Sequence, residues 1–109
     1  MPEKTFAILD VERDELLGVV TVNLVEEGTV GYWLAPAARG RGVMTRAVRL
    51  AVYWARGKHG IRVLRLTTHP HNFASQRVAE RVGFRRIGTT PHHPAFRDGT
   101  EEAVLFELS

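Results

Sequence analysis

The stretch Arg39-Gly40-Arg41-Gly42-Val43-Met44 carries the strongest chemical signal in the chain. It follows an apolar, strand-like run, Val30-Gly31-Tyr32-Trp33-Leu34-Ala35, and a turn-making Pro36-Ala37-Ala38. It opens a helical pattern that starts near Val43. A glycine-rich turn entering a helix presents several free backbone N–H groups to one small volume. Together with the positive end of the helix dipole they suit a phosphate. Gly40 and Gly42 lack a Cβ, so the turn can adopt positive φ and a diphosphate can approach the backbone closely. The dinucleotide fingerprint G-x-G-x-x-G fails, because Arg46 holds the last required position after Gly40-x-Gly42. The Walker pattern fails as well, since no Gly-Lys-Ser/Thr follows.

The elements that must position this turn are legible from periodicity. Thr5 to Val11 reads as a strand, Glu12-Arg13-Asp14-Glu15 as a polar turn, and Leu16 to Val25, rich in Val, as a second strand. Glu26-Glu27-Gly28-Thr29 makes the next turn and Val30 to Ala35 the third strand. Pro36 suits a strand that stops pairing there. Val43, Ala47, Leu50, Ala51 and Trp54 recur at helical spacing as an apolar stripe, with Arg46, Arg49 and Arg56 off it. Gly57 or Gly60 should stop that helix. Ile61 to Thr68 reads as a central strand, and His69-Pro70-His71-Asn72 as a turn. Asn72 is a good N-cap for a helix to about Val82, which Gly83 should end. Phe84 to Thr89 and Glu102 to Leu108 are two final strands around a loop rich in His and Pro.

Composition narrows the function classes. The 109 residues suit one small domain, and 44% hydrophobic content with 25% charge is ordinary for a globular protein. There is no Cys, so disulfides, thiolate metal sites and a Cys nucleophile are excluded. No apolar run reaches the ~20 residues needed to span a bilayer. The N-terminus has no basic-then-apolar signal pattern, so a cytoplasmic location is expected. The net charge is +3, and all basic residues except Lys4 and Lys58 are Arg. That favours anionic ligands, but no aromatic platform or recognition-helix motif accompanies it, which disfavours nucleic acid. A metal site built from His69, His71, His92 and His93 has no supporting carboxylate pattern, so no metal is expected.

The residual pattern Arg/Gln-x-x-Gly-x-Gly/Ala, matched by Arg39 and Gly42 with Met44 in the last slot, resembles the acetyl-CoA pyrophosphate loop of the GNAT N-acetyltransferases. Asn72-x-Ala74-Ser75-x-Arg77-Val78-x-Glu80-Arg81-x-Gly83-Phe84 is similar to the fourth-helix signature of the ribosomal-protein N-terminal acetyltransferase branch. Gly31-Tyr32-Trp33-Leu34 is similar to that branch's fourth strand. The blocks stand in family order and cover Thr5 to Ser109. The resemblance implies an α/β (α+β) fold with a mixed, mostly antiparallel sheet in the order β-β-β-α-β-α-β-β, beginning at the family's second strand.

The resemblance also implies the chemistry. An amine, a protein N-terminus among the candidates, would attack the thioester of acetyl-CoA directly, with no covalent intermediate. The backbone of Arg39, Gly40, Arg41, Gly42, Val43 and Met44 would hold the pyrophosphate, with the Thr45 hydroxyl beside it. Met44 departs from Gly/Ala, but only its amide is needed. Backbone groups near Trp33, Leu34 and Ala35 would meet the pantetheine arm, where the family's strands splay. Asn72 would cap its helix and touch the same arm. Many members place an acid Tyr where Ala79 stands here, and the ribosomal-protein branch carries Ser at the Ser75 position to protonate the sulfur. A helix-packing role for Ser75 is equally open. Some relatives draw the base from the last hairpin, where His92 and His93 lie, and an unperturbed pKa of ~6.5 suits His to that task.

One departure bears on function. The family's first strand and first two helices, which build one wall of the acceptor pocket, have no counterpart before Thr5. A piece of a longer enzyme, a short member completed by a homodimer partner, and a non-catalytic acetyl-CoA-binding or protein-interaction module are the three readings this leaves.

Overall fold

Alternation of Val and small residues makes the second strand the spine of the sheet. In a strand, successive side chains take opposite faces, so Val20 and Val22 point together into the core, where both are fully buried. A computed structural model describes residues 3–24, 28–40 and 42–109. Among them the elements are β1 (Glu3–Asp10), β2 (Glu15–Asn23), β3 (Gly28–Leu34), a 3-10 turn (Pro36–Ala38), α1 (Val43–His59), β4 (Leu64–Thr68), α2 (Phe73–Val82), β5 (Arg85–Pro91) and β6 (Glu102–Leu108). This is the element order expected from the sequence. Val25 and Arg41 lie outside the described residues.

The strands form one sheet in the order β1-β2-β3-β4-β6-β5. All neighbours are antiparallel except β3 and β4, which run parallel. That parallel pair is short: only Gly28↔Leu64 and Thr29↔Arg65 are in register. Beyond Thr29 the two strands part, while β3 stays bonded to β2 as far as Gly18↔Leu34. Ile61 to Val63 are not strand, unlike the reading from periodicity. They form the lead-in, with the Val63 carbonyl accepting from the Gly28 N–H at 3.1 Å.

α1 packs against β2 and β3, and α2 against β4 and β5. The two helices are linked by Arg49, whose Nη2 donates to the Arg81 carbonyl at 2.8 Å. Gly60, not Gly57, ends α1. Its φ of 64° is the left-handed conformation of a helix C-cap, and its N–H returns to the helix carbonyls. The buried face of α1 is also rotated from the expected stripe. Met44, Val48, Ala51, Val52 and Ala55 are buried, whereas Leu50 is 70% exposed. Both faces are apolar at helical spacing, so the pattern alone could not choose between them. Phe6 packs edge-on to Trp54, with ring centroids 5.2 Å apart. Phe106 and Leu64 are the largest of the fully buried side chains.

Two glycines with opposite surroundings test this packing. A Cβ on Gly18 would stand 2.3 Å from the Trp33 carbonyl oxygen, a backbone atom, so β2 and β3 would have to separate. Gly57 lies within α1, and nothing would meet its Cβ within 4 Å. Thermal or denaturant unfolding should show Gly18→Ala destabilised by about 1–3 kcal/mol. Gly57→Ala should be stabilised by about 0.5–1 kcal/mol.

Candidate acetyl-CoA site

The parting of β3 and β4 opens a cleft of about 590 Å³ between their C-terminal ends. This is where open α/β sheets accept ligands, because the strand ends diverge and the following helices start there. Tyr32, Trp33 and Leu34 of β3 form one side. Arg39, Gly40 and Gly42 to Thr45 form the end over α1, and Asn72, Ser75, Arg77, Val78 and Arg81 come from α2 and its approach.

The two helix N-termini in this cleft differ. Asn72 caps α2, its Oδ1 accepting from the Ser75 N–H at 3.1 Å. At α1 the cap position is Gly42, which has no side chain to offer, and the first turn holds no acidic residue. Gly40 and Gly42 have φ of 79° and 69°. Positive φ turns the chain so that the first N–H groups of α1 face the cleft without a capping side chain. Free N–H groups at the positive end of a helix dipole suit an anion. Arg39, Arg77 and Arg81 border the same space. The sequence reading gave no role to Arg77 or Arg81. Their i, i+4 spacing on α2 was the available signal, since it puts both guanidinium groups on one face of the helix.

Tyr32 joins the two sides. Its hydroxyl donates to the Ser75 carbonyl at 2.7 Å, tying β3 to the first turn of α2 across the cleft. Burial pushes the phenol pKa above its usual value, with the Ser75 hydrogen bond a smaller opposing effect. The protonated form that donates is therefore the form the site keeps. From its place in an apolar strand, the sequence predicts no more for Tyr32 than a core aromatic. Its polar tip is used, as buried tyrosines require.

Of the residues expected in the site, Leu34, Arg39, Gly40, Gly42, Val43, Met44, Thr45, Asn72 and Ser75 all line this cleft. Met44 and Thr45 are buried there. Ala35 does not line it; its N–H is bonded to the Leu17 carbonyl at 2.7 Å. Arg41 lies outside the described residues.

His92 and His93 lie apart from the cleft, in the loop between β5 and β6. His92 stacks on Phe96 with centroids 3.8 Å apart, and its Nδ1 lies 2.9 Å from the Pro94 carbonyl. A carbonyl only accepts, so Nδ1 is the donor in this bond. The loop is clasped to the turn before α2. His69 Nε2 meets Asp98 Oδ2 at 2.7 Å, and the Phe96 ring lies edge-on to His69. His69 Nδ1 accepts the His71 N–H at 3.0 Å, so both of its nitrogens are engaged. Among the described residues no group of three His, Asp or Glu is placed to hold a metal. No helix among them is long and apolar enough to cross a membrane.

Residues 2–85 match the family model described as the acetyltransferase (GNAT) domain. The chain belongs to the GNAT acetyltransferase family. It is 34% identical over 91 residues to the probable N-acetyltransferase YjcK of Bacillus subtilis (strain 168), a match covering 79% of this chain and 50% of that protein. Its fold is that of the ribosomal-protein-S5-alanine acetyltransferase from Vibrio fischeri, with a TM-score of 0.90 at 22% identity, over 98% of this chain and 61% of the other. Mycobacterium smegmatis RimJ, solved in complex with CoA-disulfide, aligns with a TM-score of 0.80 at 23% identity, over 88% of this chain and 48% of that one. The GNAT chain described here thus spans about half the length of the curated relatives it matches.

The clasp has a defined pH response. The Thr100 backbone N–H, then the Thr100 side chain and His69, hold the Asp98 carboxyl down at about 2. A folded-state pKa below the unfolded one contributes stability above the unfolded value and loses it as pH falls through the folded value. The loop should therefore stay clasped above pH ~4, the unperturbed Asp range, and loosen between there and about 2. Carboxyl NMR titration of Asp98 should give a midpoint near 2; a midpoint near 4 would mean the clasp does not hold in solution.

Proposed function

We propose that this chain transfers an acetyl group from acetyl-CoA to an amine, with a protein N-terminus as the acceptor class. The observation that carries the reading is the uncapped α1 N-terminus facing the gap between β3 and β4. A diphosphate bound at 42–45 directs the rest of a CoA chain along the open edge of β3. Arg39, Arg77 and Arg81 add charge where the ligand is anionic. The proposed acceptor follows the name of the Vibrio fischeri structure. The reading includes a homodimer, with a second copy of the chain supplying part of the acceptor wall.

The chemistry asks for few groups. A neutral amine attacks the thioester carbonyl carbon, the C–N bond forms, and the C–S bond breaks with its electron pair leaving on sulfur. The Ser75 hydroxyl gives that sulfur a proton and recovers one from solvent. The Tyr32 bond to the Ser75 carbonyl keeps this turn of α2 in place. The ammonium proton of the acceptor goes to a base, a role assigned to His92, with His93 beside it, on the condition that the acceptor reaches from the cleft to the loop between β5 and β6. Orientation at the cleft supplies much of the rate, since a positioned nucleophile avoids the entropy of encounter.

Gly42→Asp separates binding from folding. Asp tolerates positive φ better than most residues, but Gly42 stands at φ 69°, so the variant should fold and melt only modestly lower than wild type. Its carboxylate would occupy the anion site and repel the diphosphate. Calorimetry with CoA should show affinity reduced about tenfold or more, equivalent to ~1.4 kcal/mol. Undiminished affinity would remove the diphosphate from this turn.

Side-chain roles divide by kinetics. Ser75→Ala should lower kcat with acetyl-CoA affinity nearly unchanged, because the proton is needed only as the C–S bond breaks. His92→Ala should remove the acidic limb of the pH–rate profile. A profile that keeps its acidic limb would move the base elsewhere.

A further inference from the structure

We infer that Arg77 and Arg81 form a second phosphate site, on the cleft face of α2, which takes the phosphomonoester on the ribose of CoA. The inference rests on the acetyl-CoA reading and adds to it a selectivity for CoA over its dephosphorylated form.

The cleft takes unequal shares of its two helices. From α1 it takes only the first turn, 42–45. From α2 it takes Ala74, Ser75, Arg77, Val78 and Arg81, which follow one helix face from the Asn72 cap to the last turn. At ~1.5 Å per residue that face runs about 13 Å. A diphosphate at the α1 turn fills only part of this space. CoA leaves its diphosphate in two directions. The pantetheine arm runs toward the fork of β3 and β4, where Tyr32 meets Ser75. The ribose end is then left to run along α2 toward Arg77 and Arg81.

The guanidinium groups divide in the same way. Arg39 lines the α1 end, and Arg46 Nη1 lies 3.7 Å from where a Cβ on Gly42 would stand. Arg77 and Arg81 stand an i, i+4 step apart on α2, where like charges destabilise a helix. Nothing in the chain neutralises them. Among the described residues no Asp or Glu lines the cleft, and neither guanidinium has a hydrogen bond or ion pair. The end of α2 does not need them either. Its Ala79 and Glu80 carbonyls accept from the Gly83 and Phe84 N–H groups, and its Arg81 carbonyl accepts from Arg49 Nη2.

A phosphomonoester fits such a pair. It carries a charge of roughly −1.5 to −2 at pH 7, and its oxygens accept from several donors at once. Guanidinium groups bind phosphate through paired N–H donors, which fixes orientation as well as charge. The diphosphate and the monoester of CoA stand on one ribose. A ligand held at the α1 turn therefore brings its second anionic group into the same cleft.

Calorimetry with CoA and with dephospho-CoA separates this site from the diphosphate turn. Wild type should bind CoA about tenfold or more tighter than dephospho-CoA, the scale of a hydrogen bond to a charged group. Arg77→Gln/Arg81→Gln should bring the two affinities together by weakening CoA alone, with each single variant between. Arg85→Gln/Arg86→Gln removes the same charge from β5, away from the cleft, and should keep the wild-type ratio. All four side chains are exposed, so the variants should melt close to wild type. A wild-type ratio near one would overturn the α2 site and leave the acetyl-CoA reading standing. A double variant that weakens both ligands equally would do the same, since it would show only diffuse charge. If wild type binds neither ligand, the acetyl-CoA reading falls and this site falls with it.

Discussion

Among the described residues the ladder between β3 and β4 has two residue pairs, Gly28↔Leu64 and Thr29↔Arg65, and the site depends on how short that ladder is. A longer parallel ladder would run both strands to their ends side by side and leave no gap. Here β3 is committed to β2 and β4 to β6, so the sheet stays continuous at one end and forks at the other. Gly28 marks the join. A Cβ there would meet Leu64 Cδ2 at 2.6 Å and Ile61 Cγ2 at 2.9 Å, so the strands come this close only because glycine stands at that position. The fork then puts two helix N-termini on its rim, which makes a hole in a sheet into a place for an anion.

Both helix starts need their N–H groups satisfied, and the chain meets the need in two ways. At α2, Asn72 provides the cap from its own side chain. At α1, glycine stands at the cap in a left-handed conformation, and no side chain takes the role. This leaves donors for something outside the chain, at a cost to the helix of only roughly a few tenths of a kcal/mol relative to a good polar cap. A helix of this length packed on the core can bear that loss. Tyr32 offsets the tendency of the fork to close or widen, because its hydroxyl bridges from β3 to the carbonyl of Ser75. The region around the cleft is thus held by a few polar bonds, and the Val, Leu and Phe core lies behind it.

The order of elements, both caps of α2 and the glycine turn were legible in the sequence because each depends on neighbours along the chain. Asn72 and Gly83 act within one turn of their own helix, and positive φ at Gly40 and Gly42 follows from what glycine permits. The blocks around Arg39, Gly42 and Asn72 also pointed to the GNAT family, which the family match bears out. Judgements that needed distant partners went differently. The buried stripe of α1 was misplaced by part of a turn, because Val43-Ala47-Leu50 and Met44-Val48-Ala55 are equally apolar and only the sheet beneath decides between them. Ile61 to Val63 alternate like a strand yet do not pair, because the parallel partner is engaged from Gly28 onward.

What the sequence by itself determined is local: where strands and helices run, which turn can expose its amides, and which residues can carry a charge or a proton. The tertiary structure decided which of these meet. It brought Arg77 and Arg81 to the cleft, set Tyr32 against Ser75, and clasped the His92 loop to His69 through Asp98. It also set Phe6 and Ile8 of β1 beside Val43, Ala47 and Leu50 of α1. These relations span tens of residues along the chain, and periodicity reports only on a few. They arise because burying one apolar face commits every other face to a direction that no single segment encodes.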